Sequence, residues 1–150
     1  ALQEEGMTIT TGGTENHLML IDVTPFGVSG RQGASALRDC GITCNKNGIP
    51  FDKLSPMITS GLRLGTPAMT TLGMGEEEMK EIAAIVKLVI SHTQPGVVAQ
   101  GPNAGKPSKI AYKIDAAFQE EATSRVKALL TQFPLYPELD LDFLKQHFVP

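Results

Sequence analysis

The chain has 150 residues, 41% of them apolar, and a net charge of -3, which suits one ordinary globular domain with enough apolar side chains for a core. That charge provides no basic stripe for nucleic acid, and with no Trp and two Tyr there is little surface on which single-stranded bases could stack. No apolar run approaches the roughly 20 residues needed to cross a bilayer, so the expectation is no membrane partner and a cytoplasmic location.

The opening ALQEEG at 1–6 reads as the last turns of a helix closing on a glycine, a helix without a beginning, which suggests a chain cut from something longer. A short β-type run at 7–11, the Gly12-Gly13 turn and the apolar stretch HLMLIDV at 17–23 predict a hairpin with a buried second strand. His17, in that stretch, is expected to be packed and hydrogen-bonded rather than a base. Ser29 followed by Gln32 is a capping-box pattern, and Ala34, Leu37 and Cys40 recur at helical spacing, which predicts a helix over 30–39 stopped by Gly41. ITCN at 42–45 is a candidate strand, followed by a loop whose Pro50 and Pro56 exclude regular structure.

SGLRLGTPA at 60–68 puts one arginine on a short strand between two glycines. Residues two apart share a face of a strand, so Gly61, Arg63 and Gly65 lie together while Leu62 and Leu64 point the other way. The reading expects a guanidinium in cleared space, whose planar fork suits bidentate binding of a carboxylate or phosphate. Solvation, or pairing with a local acid, is the alternative. Thr66-Pro67 predicts a short helical turn. Glu76, Glu77 and Glu78 then favour the positive end of a longer helix, whose Met79, Ile82, Val86, Val89 and Ile90 form one face.

QPGVVAQGPNAGKP at 94–107 reads as a surface loop or linker, and 108–132 as a helix striped by Ile110, Ile114, Phe118, Val126, Leu129 and Leu130. A final one or two helical turns are expected at 141–147. The predicted order is β-β-α-β-β-α-α, in three parts: a core at 1–93, a linker or insertion at 94–107 and a helical extension at 108–150. Two cysteines and three scattered histidines make no zinc spacing, so no metal is expected, and Cys40 and Cys44 read as reduced and packed. The amides and ammonium of Asn45, Lys46 and Asn47 suit either a polar ligand or a turn. GGTEN at 12–16 is only a weak phosphate-loop pattern, and Glu15, Asp22 and Asp39 read as solvated charges.

Three stretches together resemble the C-terminal part of serine hydroxymethyltransferase: GGTENHLMLID at 12–22, GITCNKNGIPFD at 41–52 and SPMITSGLRLGTPAMTTLGM at 55–74. They stand in that family's order and spacing, and FPLYP at 133–137 resembles its closing part. The resemblance implies an α/β domain of the α+β type, the small C-terminal domain of a fold-type I pyridoxal-phosphate transferase, with helices packed on a short, mainly antiparallel sheet. It implies the reversible conversion of serine and tetrahydrofolate to glycine and 5,10-methylenetetrahydrofolate, in one-carbon metabolism, by a homodimer. Arg63 matches the arginine that holds the amino-acid carboxylate, and Asn47 the asparagine that contacts folate. The family's Schiff-base lysine, ring-facing aspartate, stacking histidine and phosphate-binding segment match no position here, so no catalytic or cofactor-binding residue is expected in the chain and the domain alone should be inactive. Leu72 and Met57 depart from the basic residue and phenylalanine common at their positions. A stand-alone amino-acid or folate binding module, and the small domain of another fold-type I enzyme, are the alternative readings.

Overall fold

The computed structural model describes residues 1–148; the last two residues of the predicted 108–150 extension lie outside the described residues. Strands β1 (Thr8–Ile9), β2 (Leu18–Asp22), β3 (Asn45–Asn47) and β4 (Gly61–Gly65) form one antiparallel sheet in the order β1-β2-β4-β3. Helices α1 (Gly30–Asp39) and α3 (Glu76–Ser91) join the sheet in the core, and a short α2 (Pro67–Thr71) follows β4 directly. A hairpin, β5 (Thr93–Val97) with β6 (Pro107–Ile114), leads into α4 (Ala116–Gln132) and a terminal α5 (Leu141–Phe148). This is the α+β domain expected, with one hairpin more than the sequence predicts. No helix among the described residues is long and apolar enough to cross a membrane.

Capping chemistry sets several boundaries. Residues 1–6 are a helical turn that ends on Gly6 at φ +76, with Gly6 N–H donating to Gln3 O and Met7 N–H to Leu2 O, a Schellman ending that a side chain at Gly6 would strain. Ser29 and Gln32 form the reciprocal capping box, and α1 covers the predicted residues 30–39. Its far end corrects the strand expected at 42–45. Gly41 N–H donates to Arg38 O and Ile42 N–H to Leu37 O, so these residues close the helix and the strand begins three positions later, at Asn45. Thr66 makes no capping bond through its side chain, and Pro67 at the first position starts α2. Glu78 accepts from Gly75 N–H at 2.7 Å and opens α3.

The core face of the sheet is apolar. Ile21, Val23 and Leu62 are fully buried against Leu37 of α1 and Ile85, Val86, Val89 and Ile90 of α3. Removing one of these side chains forfeits several tens of dispersion contacts along with its transfer energy. Helix α4 packs Ala122 and Val126 onto the same cluster, and Arg125 donates to both oxygens of Glu81 on α3 at 2.7 and 2.8 Å. Cys40 is buried and Cys44 half-buried, neither in a disulfide, and burial pushes the Cys44 thiol up to about 11.

The segment 94–114 differs most from expectation. Its first part is a strand with a bulge rather than a loop, and 107–114 is a strand rather than the start of a helix, which Asp115 caps by accepting from Ala117 N–H at 2.9 Å. A two-stranded hairpin leaves each strand an open edge, which tolerates Pro95. The Ile110 to Ile114 spacing of four fits both a helix face and a strand face, so it could not discriminate. The hairpin is tied to α1 by buried side chains: Gln32 Nε2 donates to Ser108 O at 2.8 Å and Ala111 O at 2.6 Å, and Ser29 Oγ to Lys109 O at 2.7 Å. Gln32→Ala, which orphans two carbonyls and the Ser29 N–H, is expected to cost about 2 to 4 kcal/mol by chemical denaturation. A loss below about 1 kcal/mol would mean that water replaces the amide.

Candidate functional site

Strand register determines which residues share the sheet's outer face. Arg63 stands between Leu20 and Asn45, Gly61 between Asp22 and Asn47, and Gly65 beside Leu18. Residues directly opposite in antiparallel strands point to the same side, so Leu18, Leu20, Arg63, Asn45 and Asn47 share one face, opposite the buried Ile21 and Leu62. Asn45 faces Arg63 directly. Asn47 is its diagonal neighbour, at a typical separation of roughly 7 to 8 Å, a span that a small polar ligand can bridge.

Leu18, Leu20, Asn47 and Arg63 line a groove of about 820 Å³, bounded on its other side by the 10–16 loop. That loop is held by its own side chains: Thr14 Oγ1 donates to Leu18 O at 2.6 Å, Leu18 N–H to Asn16 Oδ1 at 2.7 Å, and Gln3 Nε2 to Gly12 O at 2.9 Å. It is a hydrogen-bonded wall of the groove, and no helix begins there to make a phosphate cradle.

Arg63 is exposed, and among the described residues its guanidinium, like that of Arg31, has neither a carboxylate at ion-pair distance nor a hydrogen-bond acceptor, whereas Arg38 and Arg125 both pair with acids. Asp22, which register places on the same face, already accepts from Thr24 N–H at 2.8 Å and Thr24 Oγ1 at 2.7 Å. An unpaired planar fork on a rigid central strand is suited to bidentate capture of an oxyanion. Asn47 Nδ2 donates to Gly48 O at 2.9 Å, which fixes the amide and leaves its carbonyl oxygen for a ligand donor.

The glycines beside Arg63 have a different purpose from the one expected. A Cβ on Gly61 would lie 2.5 Å from Ile49 Cγ2 and 2.9 Å from Asn47 O, and one on Gly65 2.9 Å from His17 O and 3.0 Å from Leu18 Cδ2. The space beside the arginine is filled by neighbouring chain, so the glycines allow strands to approach rather than an anion. His17 is corrected as well: it is exposed and lies just outside β2, a strand in which only Ile21 is buried. Lys46 points to the opposite face from Asn45 and Asn47 and donates to Pro56 O at 2.9 Å, so the three do not form one cluster.

Leu18 and Leu20 join the site through register with β4, and Asn45, of the amide pair named from the sequence, faces Arg63 across the strands. No lysine occupies the outer face with Arg63. A guanidinium beside amides suits an oxyanion, whereas pyridoxal phosphate needs an amine and a phosphate cradle, which these strand residues do not supply. Among the described residues no group of three metal-ligating side chains converges.

The family model described as serine hydroxymethyltransferase matches residues 1–86. The chain is 48% identical to the serine hydroxymethyltransferase of Treponema pallidum over 97% of its own length and 25% of that protein's. It is 47% identical to the one from Salinispora tropica over 93% of this chain and 28% of the relative, and 45% identical to the one from Chlamydia abortus over 95% and 28%. The chain thus spans about a quarter of the length of the curated relatives it matches.

Proposed function

The chain belongs to the serine hydroxymethyltransferase family, and from that premise we propose that it is the enzyme's C-terminal domain, supplying the clamp for the substrate carboxylate and part of the folate site. The parent enzyme interconverts serine plus tetrahydrofolate with glycine plus 5,10-methylenetetrahydrofolate. One observation carries the reading: an unpaired Arg63 on the outer sheet face, with Asn47 diagonal to it in the same groove.

Arg63 takes the carboxylate of serine or glycine through two parallel N–H···O bonds, which fixes both the position and the rotation of the amino acid. Asn47, on the edge strand, presents its amide oxygen to a donor N–H of the folate. Leu18 and Leu20 flank Arg63 on the same sheet face and line the same groove. Pyridoxal phosphate belongs to the family's chemistry but is held by residues outside this chain, in the parent's large domain and its homodimer partner. A stand-alone binding module has less support, because the relatives carry the matching residues as a quarter of a longer chain.

Two measurements test the division of labour. Full-length parent enzyme is expected to form glycine from serine with pyridoxal phosphate and tetrahydrofolate present, while the 150-residue chain by itself binds no pyridoxal phosphate stoichiometrically and forms no glycine. Stoichiometric, saturable binding with turnover by the chain alone would refute the proposal.

A further inference from the structure

The connection between β3 and β4, residues 48–60, holds the carboxylate with the most hydrogen bonds among the described residues. Asp52 Oδ2 accepts from Ile49 N–H at 3.2 Å and Ser60 N–H at 2.8 Å, while Oδ1 accepts from Leu54 N–H at 2.8 Å and Ser60 Oγ at 2.6 Å. One side chain thereby joins the segment just after Asn47 to the residue just before Gly61. Burial pushes the Asp52 carboxyl up, but the Ser60 hydroxyl and the N–H groups of Leu54, Ser60 and Ile49 outweigh it and hold the group below the usual carboxylate range.

Backbone strain marks the same place. Phe51 at φ 58 and Thr59 at φ 60 are the two described non-glycine residues with positive φ, and each immediately precedes one partner of the Asp52 to Ser60 contact. Bulky and β-branched residues enter that region only where surrounding bonds over-determine it. Thr59 Oγ1 is buried without a partner, which adds to the cost of this conformation. Further bonds anchor the connection: Thr59 O and Ile58 O accept from Gly30 and Arg31 N–H at the start of α1, at 2.9 and 3.0 Å.

The two ends of this connection are not equally supported. Arg63 lies on a central strand paired on both sides, whereas Asn47 lies on a three-residue edge strand whose only ladder partner is β4. We propose that Asp52 is a positioning residue for the folate side of the site: its carboxylate fixes the 48–60 connection and, through it, the edge strand that carries Asn47. The inference rests on the reading of Asn47 as a folate contact.

The test uses the full-length parent enzyme with Asp52→Asn, which replaces two acceptor positions with a donor facing backbone N–H groups, and with Ser60→Ala, which removes one bond of the four. Asp52→Asn is expected to raise the KM for tetrahydrofolate by about tenfold while the serine KM stays within about twofold, with Ser60→Ala intermediate. Hydrogen exchange of a peptide covering 44–49 is expected to quicken by about tenfold in Asp52→Asn while one covering 61–65 keeps its protection.

Equal increases in both KM values, equal exchange changes in both peptides, or no change in either measurement would overturn the proposal. Asn47→Ala tests the folate contact apart from the Asp52 anchor. If that variant leaves the folate KM unchanged, the folate assignment fails and the exchange result alone decides the role of Asp52.

Discussion

In full-length parent enzyme, Arg63→Ala is expected to lower kcat/KM for serine by about a hundredfold or more, the loss of a few kcal/mol that follows when a charged ligand group loses its partner. The reason lies in the strand that carries it. Arg63 has no acid to pair with in the described residues, and β2 and β3 hold β4 from both sides, so its backbone is fixed in register on the outer face. Arg63→Lys should recover only part of the loss, because an ammonium cannot reproduce two parallel bonds in one plane. Serine turnover close to wild type in Arg63→Ala would remove the residue from the carboxylate role. A chemical denaturation midpoint near wild type should accompany the kinetic loss, since the side chain is exposed and makes no bond among the described residues.

Gly61→Ala is expected to have the opposite profile, a large loss of stability that takes function with it. A Cβ there would meet Ile49 Cγ2 at 2.5 Å, Asn47 O at 2.9 Å and Ile21 O at 3.1 Å. The isoleucine can rotate away, but the two carbonyls belong to strands on either side of β4, and moving either breaks the ladder that positions Arg63 and Asn47. Overpacking of this kind costs about 1 to 3 kcal/mol, and more where backbone must shift. Gly13→Ala on the loop beside the groove is the control. A Cβ there meets nothing within 4 Å and φ is not positive, so its stability should stay within about 0.5 kcal/mol of wild type. Equal effects of the two substitutions would mean that the sheet accommodates the extra atom.

Local signals made much of the fold legible. The Ser29 and Gln32 capping box, Gly6 and Gly41 as helix stops, and the glutamate triplet opening α3 act within a few residues, so short sequence windows contain the whole physical cause. The hairpin at 93–114 was not legible, because its stability depends on partners some 80 positions away, where Gln32 meets Ser108 and Ala111. Glycine and proline there read as breakers, yet an open-edged hairpin tolerates both. Arg63 was visible as a candidate from its own strand. Its neighbours Leu18 and Leu20 were not, since cross-strand register is a long-range property. Asp52 carried no distinguishing signal, being an acid in a loop like several others. Only the folded connection brings Ile49, Leu54 and Ser60 to its two oxygens.

Comparing serine with serinamide, in which a neutral amide replaces the carboxylate and one acceptor oxygen becomes a donor, isolates the contact to Arg63. Wild-type parent enzyme is expected to bind serine about a hundredfold or more tightly than the amide, and Arg63→Ala to bind the two within a fewfold of each other, because the fork that distinguishes them is gone. Undiminished discrimination in Arg63→Ala would contradict the account, placing the carboxylate on another residue and leaving the outer face of this sheet without its central role.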